Sequence, residues 1–235
     1  MGKRLIIQSR GHGSSTYRSP SHRHKGEIKL PGKEGIGRVK DIIHDPGHYA
    51  PVAVVKMEDG DEFNMIASSG MYVGQKIHMG SMVPLELGSV MPLGEIPEGT
   101  SIYNIEIKPG DGGKLVRTPG TSGLVISHGE RTVVQLPSKE FKAFDNNCRA
   151  VLGIVSGGGR TDMPFAKAGK KVHAYQSRAK RSFKVSGVNM NPVDHPHGGG
   201  SHRHVGGPSS MARGTHPGRK VGRLAPKKRN KNRRK

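Results

Sequence analysis

The sequence predicts a mainly β protein: two small barrels in its middle, carrying long, irregular, basic extensions at both ends. Three observations lead there. Short β-prone runs recur between turn signals from Ile36 to Val155. Hydrophobic residues make up 32% of the 235, below the roughly 45–50% apolar share of an ordinary domain, so only part of the chain can bury a core. Finally, the net charge of +21 is carried by the two ends.

Residues 1–33 form the first extension. They hold eight Lys or Arg and one acid, Glu27. The stretch 8–26 is dominated by Gly, Ser, Pro, His and charge, with little to offset the entropy of ordering it. The first barrel is expected over residues 34–84, with strands at 37–43, 51–57, 62–67 and 75–79. Between the second and third, Glu58-Asp59-Gly60-Asp61 reads as an Asp-Gly hairpin turn of the primed type.

The passage 84–100, with Pro92, Pro97 and several glycines, is the expected seam. The second barrel is expected over residues 85–168. Its candidate strands are 101–107, 113–117, 123–127, 131–136 and 150–155. Residues 133–136, 139–144 and 151–155 read as consecutive strands around a tight turn at Pro137-Ser138. Regular short strands at this spacing suit small barrels, and a single larger sandwich is the alternative. The sequence predicts no long helix before Met163, and a short one over 163–168 or 172–180. Residues 169–235 form the second extension, with eighteen basic residues against Asp194. The middle, 34–168, holds thirteen basic and sixteen acidic residues.

Such a charge excess calls for a polyanion, either nucleic acid or an anionic membrane surface. No run approaches the ~18 apolar residues of a membrane span. The N-terminus is too weakly apolar for a signal peptide, and there is no amphipathic helix for surface binding. A soluble, cytoplasmic protein without membrane contact is expected. Nucleic acid fits the ends better: Lys and Arg neutralise phosphates, glycine permits close backbone approach, and His, Tyr and Arg planes stack on unpaired bases. The single cysteine, Cys148, excludes an internal disulfide and a four-cysteine zinc site, and is expected to be buried.

The most unusual stretch is 188–204, with four His in ten residues around Gly198-Gly199-Gly200. His195/His197 and His202/His204 are i, i+2 pairs that share a side of an extended chain. A metal reading is open, but Asp194 is the sole carboxylate and the Gly-Pro chain would not preorganise a site. A Ser-His-Asp reading lacks the Gly-x-Ser-x-Gly elbow, and adjacent Asp and His rarely orient each other as a triad requires. The favoured reading is a glycine-permitted loop pressed against RNA. Two further glycine clusters, 110–113 and 157–160, match neither a Walker nor a dinucleotide pattern, and the second reads as an RNA-contacting turn. No cofactor and no metal are expected.

Met190-Asn191-Pro192-Val193-Asp194-His195-Pro196-His197-Gly198-Gly199-Gly200 resembles the hallmark of the universal large-subunit ribosomal protein L2 family. The likeness continues through 39–47, 108–115, 125–128 and 157–160, over essentially the whole chain. Met1-Gly2-Lys3-Arg4 and His44-Asp45-Pro46-Gly47 resemble the family's archaeal and eukaryotic branch. The resemblance implies an oligonucleotide-binding-type barrel followed by an SH3-like barrel, and primary binding to large-subunit rRNA. It further implies support of subunit association, tRNA binding and peptide bond formation, with the C-terminal extension running towards the peptidyl transferase region. Small-subunit rRNA at an intersubunit bridge and neighbouring large-subunit proteins are implied partners. The family's discussed histidine maps onto His195, which is assigned an RNA-organising role, so the protein is expected not to be an enzyme and to have no catalytic residue.

These readings nominate rRNA contacts. In the first extension they are Arg4, Arg10, His12, Arg18, His22, Arg23, His24 and Lys25. Arg38 and Arg160 are nominated in the middle. In the second extension they are Lys170, Lys171, Arg178, Lys180, Arg181, Arg213, Arg219, Lys220 and Arg223. The His-Gly loop adds Asn191, His195, His197, Gly198, Gly199, Gly200, His202, Arg203 and His204.

Overall fold

The computed structural model describes residues 2–226, and the last basic run, 227–235, lies outside them. These residues form two compact units, Ser21–Ala166 and residues 2–20 with 167–226.

The first unit is mainly β. Its strands are β1 Gly35–Ile43, β2 Val52–Met57, β3 Glu62–Ile66, β4 Lys76–Met79, β5 Val90–Pro92, β6 Ser101–Tyr103, β7 Gly123–Ser127, β8 Thr132–Gln135, β9 Phe141–Phe144 and β10 Arg149–Leu152. They hydrogen-bond in the order β3-β2-β1-β4-β5-β10-β6-β7-β8-β9. Every pairing is antiparallel except β4 with β5, joined at Met79 and Val90. The period-two alternation of a half-buried strand is plain in β1, where Gly37 and Val39 face inward while Arg38 and Lys40 face solvent. The register then moves from Val39 opposite Val55 to Asp41 opposite Val54. Lys40 is left as the extra residue of a β-bulge.

Two hydrophobic clusters fill this unit. One gathers Val39, Val52, Val55, Met65, Ile66 and Ile77 from β1–β4. The other gathers Met91, Leu93, Ile102, Ile105, Val125, Val134 and Phe144. Fully burying one such side chain is worth about 1.5–3 kcal/mol. Tyr103 ties the two runs of strands together: it sits on β6, packs in the first cluster and donates its hydroxyl to the Ile66 carbonyl at 2.9 Å. Burial pushes its phenol far above its ordinary pKa. Cys148 is wholly buried in the second cluster.

Several expectations are corrected. The 58–61 hairpin is present, but its turn is not of the primed type. Only Gly60 has positive φ, the Gly60 N–H returns to the Met57 carbonyl, and Met57 N–H bonds Asp61. That is a three-residue loop closed by a left-handed glycine. The run 101–107 stops at Tyr103 because Asn104 turns left-handed (φ 51). The run 113–117 forms no strand, only an isolated bridge between Ile105 and Leu115. The seam contains a strand, β5; β8, β9 and β10 follow one another as expected, but β10 pairs with β5 and β6 and not with β9. Residues 21–33 group with the sheet unit, where Ile28 and Leu30 are buried in the first cluster.

The second unit carries α1 (Ile6–Gly11), α2 (Ala168–Gln176) and a two-stranded parallel pair, β11 (Ser210–Met211) with β12 (Arg223–Leu224). Helix α1 was not anticipated, and α2 overlaps both expected positions, at Ala168 and over 172–176. Ala, Lys and Gln favour α2. It ends where Ala179 (φ 52) takes the left-handed position usually given to glycine. There Lys180 N–H bonds the Tyr175 carbonyl and Ala179 N–H bonds that of Gln176, a Schellman closure. Among the described residues, Leu5 and Val221 are the buried hydrophobic side chains of this unit. No helix among them is long and apolar enough to cross a membrane.

Candidate nucleic-acid interface

Two loops of the sheet unit are set by buried acids. Glu106, fully buried, accepts hydrogen bonds from the backbone N–H of Gly110 (3.1 Å), Gly112 (3.0 Å) and Arg149 (2.9 Å). It also forms an ion pair with the Arg149 guanidinium at 2.8 Å. Burial pushes this carboxyl up, but the hydrogen bonds from Arg149 and Gly112 outweigh it and hold the group below the usual carboxylate range. Asp111 accepts from the backbone of Ile107, Lys108 and Gly113. The glycine-rich loop 108–114 is thereby folded over its own carboxylates. A side chain at Gly113 (φ +87) would strike Asn104 at 2.5 Å. The segment at 28–31 is clipped alongside: Leu30 N–H bonds Gly112, Arg117 bonds the Ile28 carbonyl, and Arg149 bonds that of Pro31.

The second loop, 44–49, is organised by Asp45, which is buried and bonded to the His48 ring and to the Gly47 N–H at 3.0 Å. Burial raises its carboxyl, and His48, Gly47 and the Lys25 backbone bring it below its ordinary range. Three nominated residues meet here. The His24 ring lies so close to Gly47 that a Cβ there would come within 3.1 Å of it. Lys25 bonds Asp45 through its backbone, and its carbonyl accepts from Asn64. The Arg160 guanidinium stacks 3.9 Å from the Tyr49 ring centroid, a cation–π contact. Arg38 stands apart on the outer face of β1. His22 and Arg23 are exposed in a short 3-10 turn, Ser21–Arg23.

In the second unit, the His-Gly loop is closed by its own backbone. Asp194 and His195 N–H both bond the Asn191 carbonyl, Gly198 N–H bonds that of His195, and Gly199 N–H that of Met190. The chain therefore turns at 195–198, and the His195 and His197 rings meet edge-on, 5.0 Å apart at 64°. His195 Nδ1 accepts the His197 N–H at 3.0 Å, which leaves Nε2 as the proton-bearing nitrogen. Burial and the neighbouring His197 lower its pKa, so the ring is neutral at pH 7. Its face rests on Gly187, where a Cβ would fall 2.2 Å from Cε1. Gly198 and Gly199 are required sterically: their Cβ atoms would lie 2.4 Å from the Asn191 carbonyl oxygen and from Pro192 Cγ respectively. His197 Nε2 is buried and has no hydrogen-bond partner among the described residues. Asp194 pairs with Lys3 at 3.4 Å, not with a histidine. Among the described residues, no three His, Cys, Asp or Glu side chains are grouped to hold a metal.

The remaining nominated residues are spread over this unit's surface. Arg4 contacts His12 at 2.8 Å, Arg10 closes α1, and Arg18 lies near Gly13. On α2, Lys170 is exposed and Lys171 reaches over Phe183. Arg178 bonds the Ala174 carbonyl, Lys180 takes part in the closure, and Arg181 is exposed. Beyond the loop, Gly200 abuts the His204 ring, His204 bonds the His202 carbonyl, and Arg203 faces solvent. Lys220 bonds the Arg213 carbonyl at 2.7 Å, Arg219 is exposed, and Arg223 pairs with Ser210. Sequence reasoning missed Asp45, Tyr49, Glu106 and Arg149. Glu106 had a signal, a lone acid between Ile105 and Ile107 in an otherwise apolar run.

A family model for the RNA-binding N-terminal domain of ribosomal proteins L2 matches residues 4–79, and one for their C-terminal domain matches residues 86–222. The large ribosomal subunit protein uL2 of Picrophilus torridus is 52% identical over 98% of this chain and 99% of its own length. That of Methanothermobacter thermautotrophicus is 50% identical over 99% and 100%. That of Thermoplasma acidophilum is 50% identical over 99% of each. The chain belongs to the ribosomal protein L2 family, structural and non-enzymatic proteins of the large ribosomal subunit whose first domain binds RNA.

Proposed function

We propose that the protein is a primary rRNA binder that organises large-subunit rRNA near the peptidyl transferase centre. In this reading residues 34–84 form an oligonucleotide-binding-type barrel and 85–168 an SH3-like barrel. Residues 1–33 and 169–235 are the extensions that reach into folded RNA, the first of them rooted in the sheet unit by Ile28 and Leu30. The two hydrophobic clusters, the first drawn mostly from residues 28–79 and the second wholly from residues 91–152, support that division. The protein assists subunit association, tRNA binding and peptide bond formation without being the catalyst. Its partners are large-subunit rRNA, small-subunit rRNA at an intersubunit bridge, and neighbouring large-subunit proteins.

One observation carries the reading. The +21 charge sits outside a near-neutral middle, on segments with almost no core of their own. A polyphosphate supplies both the missing countercharge and the missing packing surface. The nominated basic and histidine side chains are the contacts, and the self-closed loop 187–204 presents His195 as a neutral, fixed donor.

Two measurements test it. Deleting residues 169–235 is expected to cause a large loss of salt-dependent binding to large-subunit rRNA, and unchanged binding by the truncated chain would count against the proposal. Replacing His195 with Gln is expected to impair assembly while leaving single-turnover peptide bond formation normal in fully assembled particles. A large rate loss there would instead make His195 an acid–base participant.

A further inference from the structure

We infer a second, rigid phosphate-binding site on the sheet unit: a row of cations, Lys56–Arg38–Lys76, laid across the solvent face of β2–β1–β4 to take the backbone of a folded RNA strand. The inference rests on the RNA-binding function proposed above and adds a face independent of the extensions.

The register makes the row. Arg38 lies directly opposite Lys56 on β2 and directly opposite Lys76 on β4. All three side chains are exposed, while Val39, Val55 and Ile77 are buried on the opposite face of the same strands. Like charges placed directly opposite on neighbouring strands destabilise a sheet, and three in series is an arrangement that an ordinary solvated face avoids. Among the described residues, none of the three is within ion-pair distance of a carboxylate. The nearest acid in register, Glu62 opposite Lys56, feels that lysine's charge but forms its ion pair with Lys40 at 2.8 Å, so one carboxylate faces a row of three cations. An open groove of about 350 Å³ runs over the row, lined by Ile36, Arg38, Lys40, Lys56, Glu58 and Lys76.

Strands lie about 4.8 Å apart, so the row spans about 10 Å on a fixed platform. The Arg38 fork suits bidentate phosphate recognition, and the flanking lysines act as point charges. The net positive charge of the row selects a polyanion, and a groove lined by no aromatic side chain selects the backbone over the bases.

The test uses the full-length protein and deproteinised archaeal large-subunit rRNA, with affinity measured across a potassium chloride series. Each phosphate contact contributes about 0.7–0.9 to the log–log salt slope. The R38Q/K56Q/K76Q variant is therefore expected to flatten the slope by about 2–3, with its melting temperature unchanged or raised. The single K76Q variant is expected to flatten it by just under about 1, which keeps the test open should the triple variant fold poorly. A charge-matched control, R131Q/K139Q/K142Q, removes three exposed cations from β8, β9 and their turns and is expected to keep the wild-type slope. A wild-type slope in both the triple and K76Q variants overturns the site, and so does equal flattening by the control. If the wild type itself shows no salt-dependent binding, the ribosomal RNA function falls and this site with it. Failure of the variants alone removes only this site.

Discussion

The two units of the chain solve opposite problems. Ser21–Ala166 is stabilised from within: two apolar clusters, a continuous run of hydrogen-bonded strands, and an acid, Glu106, buried with every bond it needs. Residues 2–20 with 167–226 have Leu5 and Val221 in place of a core. Their order comes from backbone closures such as those at 187–204 and 175–180. Shape in the first unit is set by burial, and in the second by glycine sterics and local hydrogen bonds, which leaves its cations outward for a partner.

The sharpest way to break this comparison is to separate the units. A fragment of residues 21–166 is expected to unfold cooperatively on heating, and one of residues 167–226 to show no cooperative transition. Circular dichroism and calorimetry on the two fragments read this directly, and a cooperative melt of the second would end the contrast.

Next in size is the buried pair. E106Q leaves Arg149 without its countercharge and is expected to cost about 3–5 kcal/mol in chemical denaturation. The pH dependence follows from the same group. The folded state lowers the Glu106 pKa, so its contribution is complete above the ordinary glutamate value of about 4.3 and is lost as pH falls through the folded value. Wild-type stability should drop steeply in acid, and E106Q should flatten that drop.

A smaller effect is expected from G199A, which places a methyl against Pro192 at a positive φ. Strain of about 1–3 kcal/mol should open the His-Gly loop and weaken rRNA affinity while the sheet unit melts as before. An equal loss of sheet stability would mean the units are not energetically distinct. Smallest is the His195 titration. Its pKa is lowered by burial and His197, so the folded loop favours the neutral ring. That contribution is full above about pH 6.5 and lost as pH falls further. Imidazole NMR shifts should report the loop loosening in that window, and H195Q should abolish the step.

Much of the sheet was legible because short apolar runs recur between turn signals, and in β1 the alternation of Arg38, Val39 and Lys40 announces one buried and one wet face. The hairpin at Asp59-Gly60 was visible too, but not its geometry, because one glycine serves either turn type. β5 was hidden inside a Pro- and Gly-rich passage, since a three-residue strand made by pairing with distant β4 and β10 has no local period to read. The run 113–117 misled for the converse reason: its composition suits a strand, but Val116 is held at φ 51. At the candidate site, composition found the cations and the His-Gly loop. It placed His195 and His197 on one side of an extended chain, because a turn fixed by the Met190 and Asn191 carbonyls leaves no mark on residue spacing. Glu106 and Asp45 escaped notice because their value lies in backbone partners that only the fold assembles.

The terminal pairing has a consequence for how the protein is made. Lys3 bonds Val193, and Ser19 bonds Ser177, 158 residues further along the chain. During translation the amino-terminal arm emerges first and its counterpart last, so the whole sheet unit can fold between the two events. A chain cut short before Ser177 would carry the sheet unit while Lys3 and Ser19 lacked the carbonyls they bond.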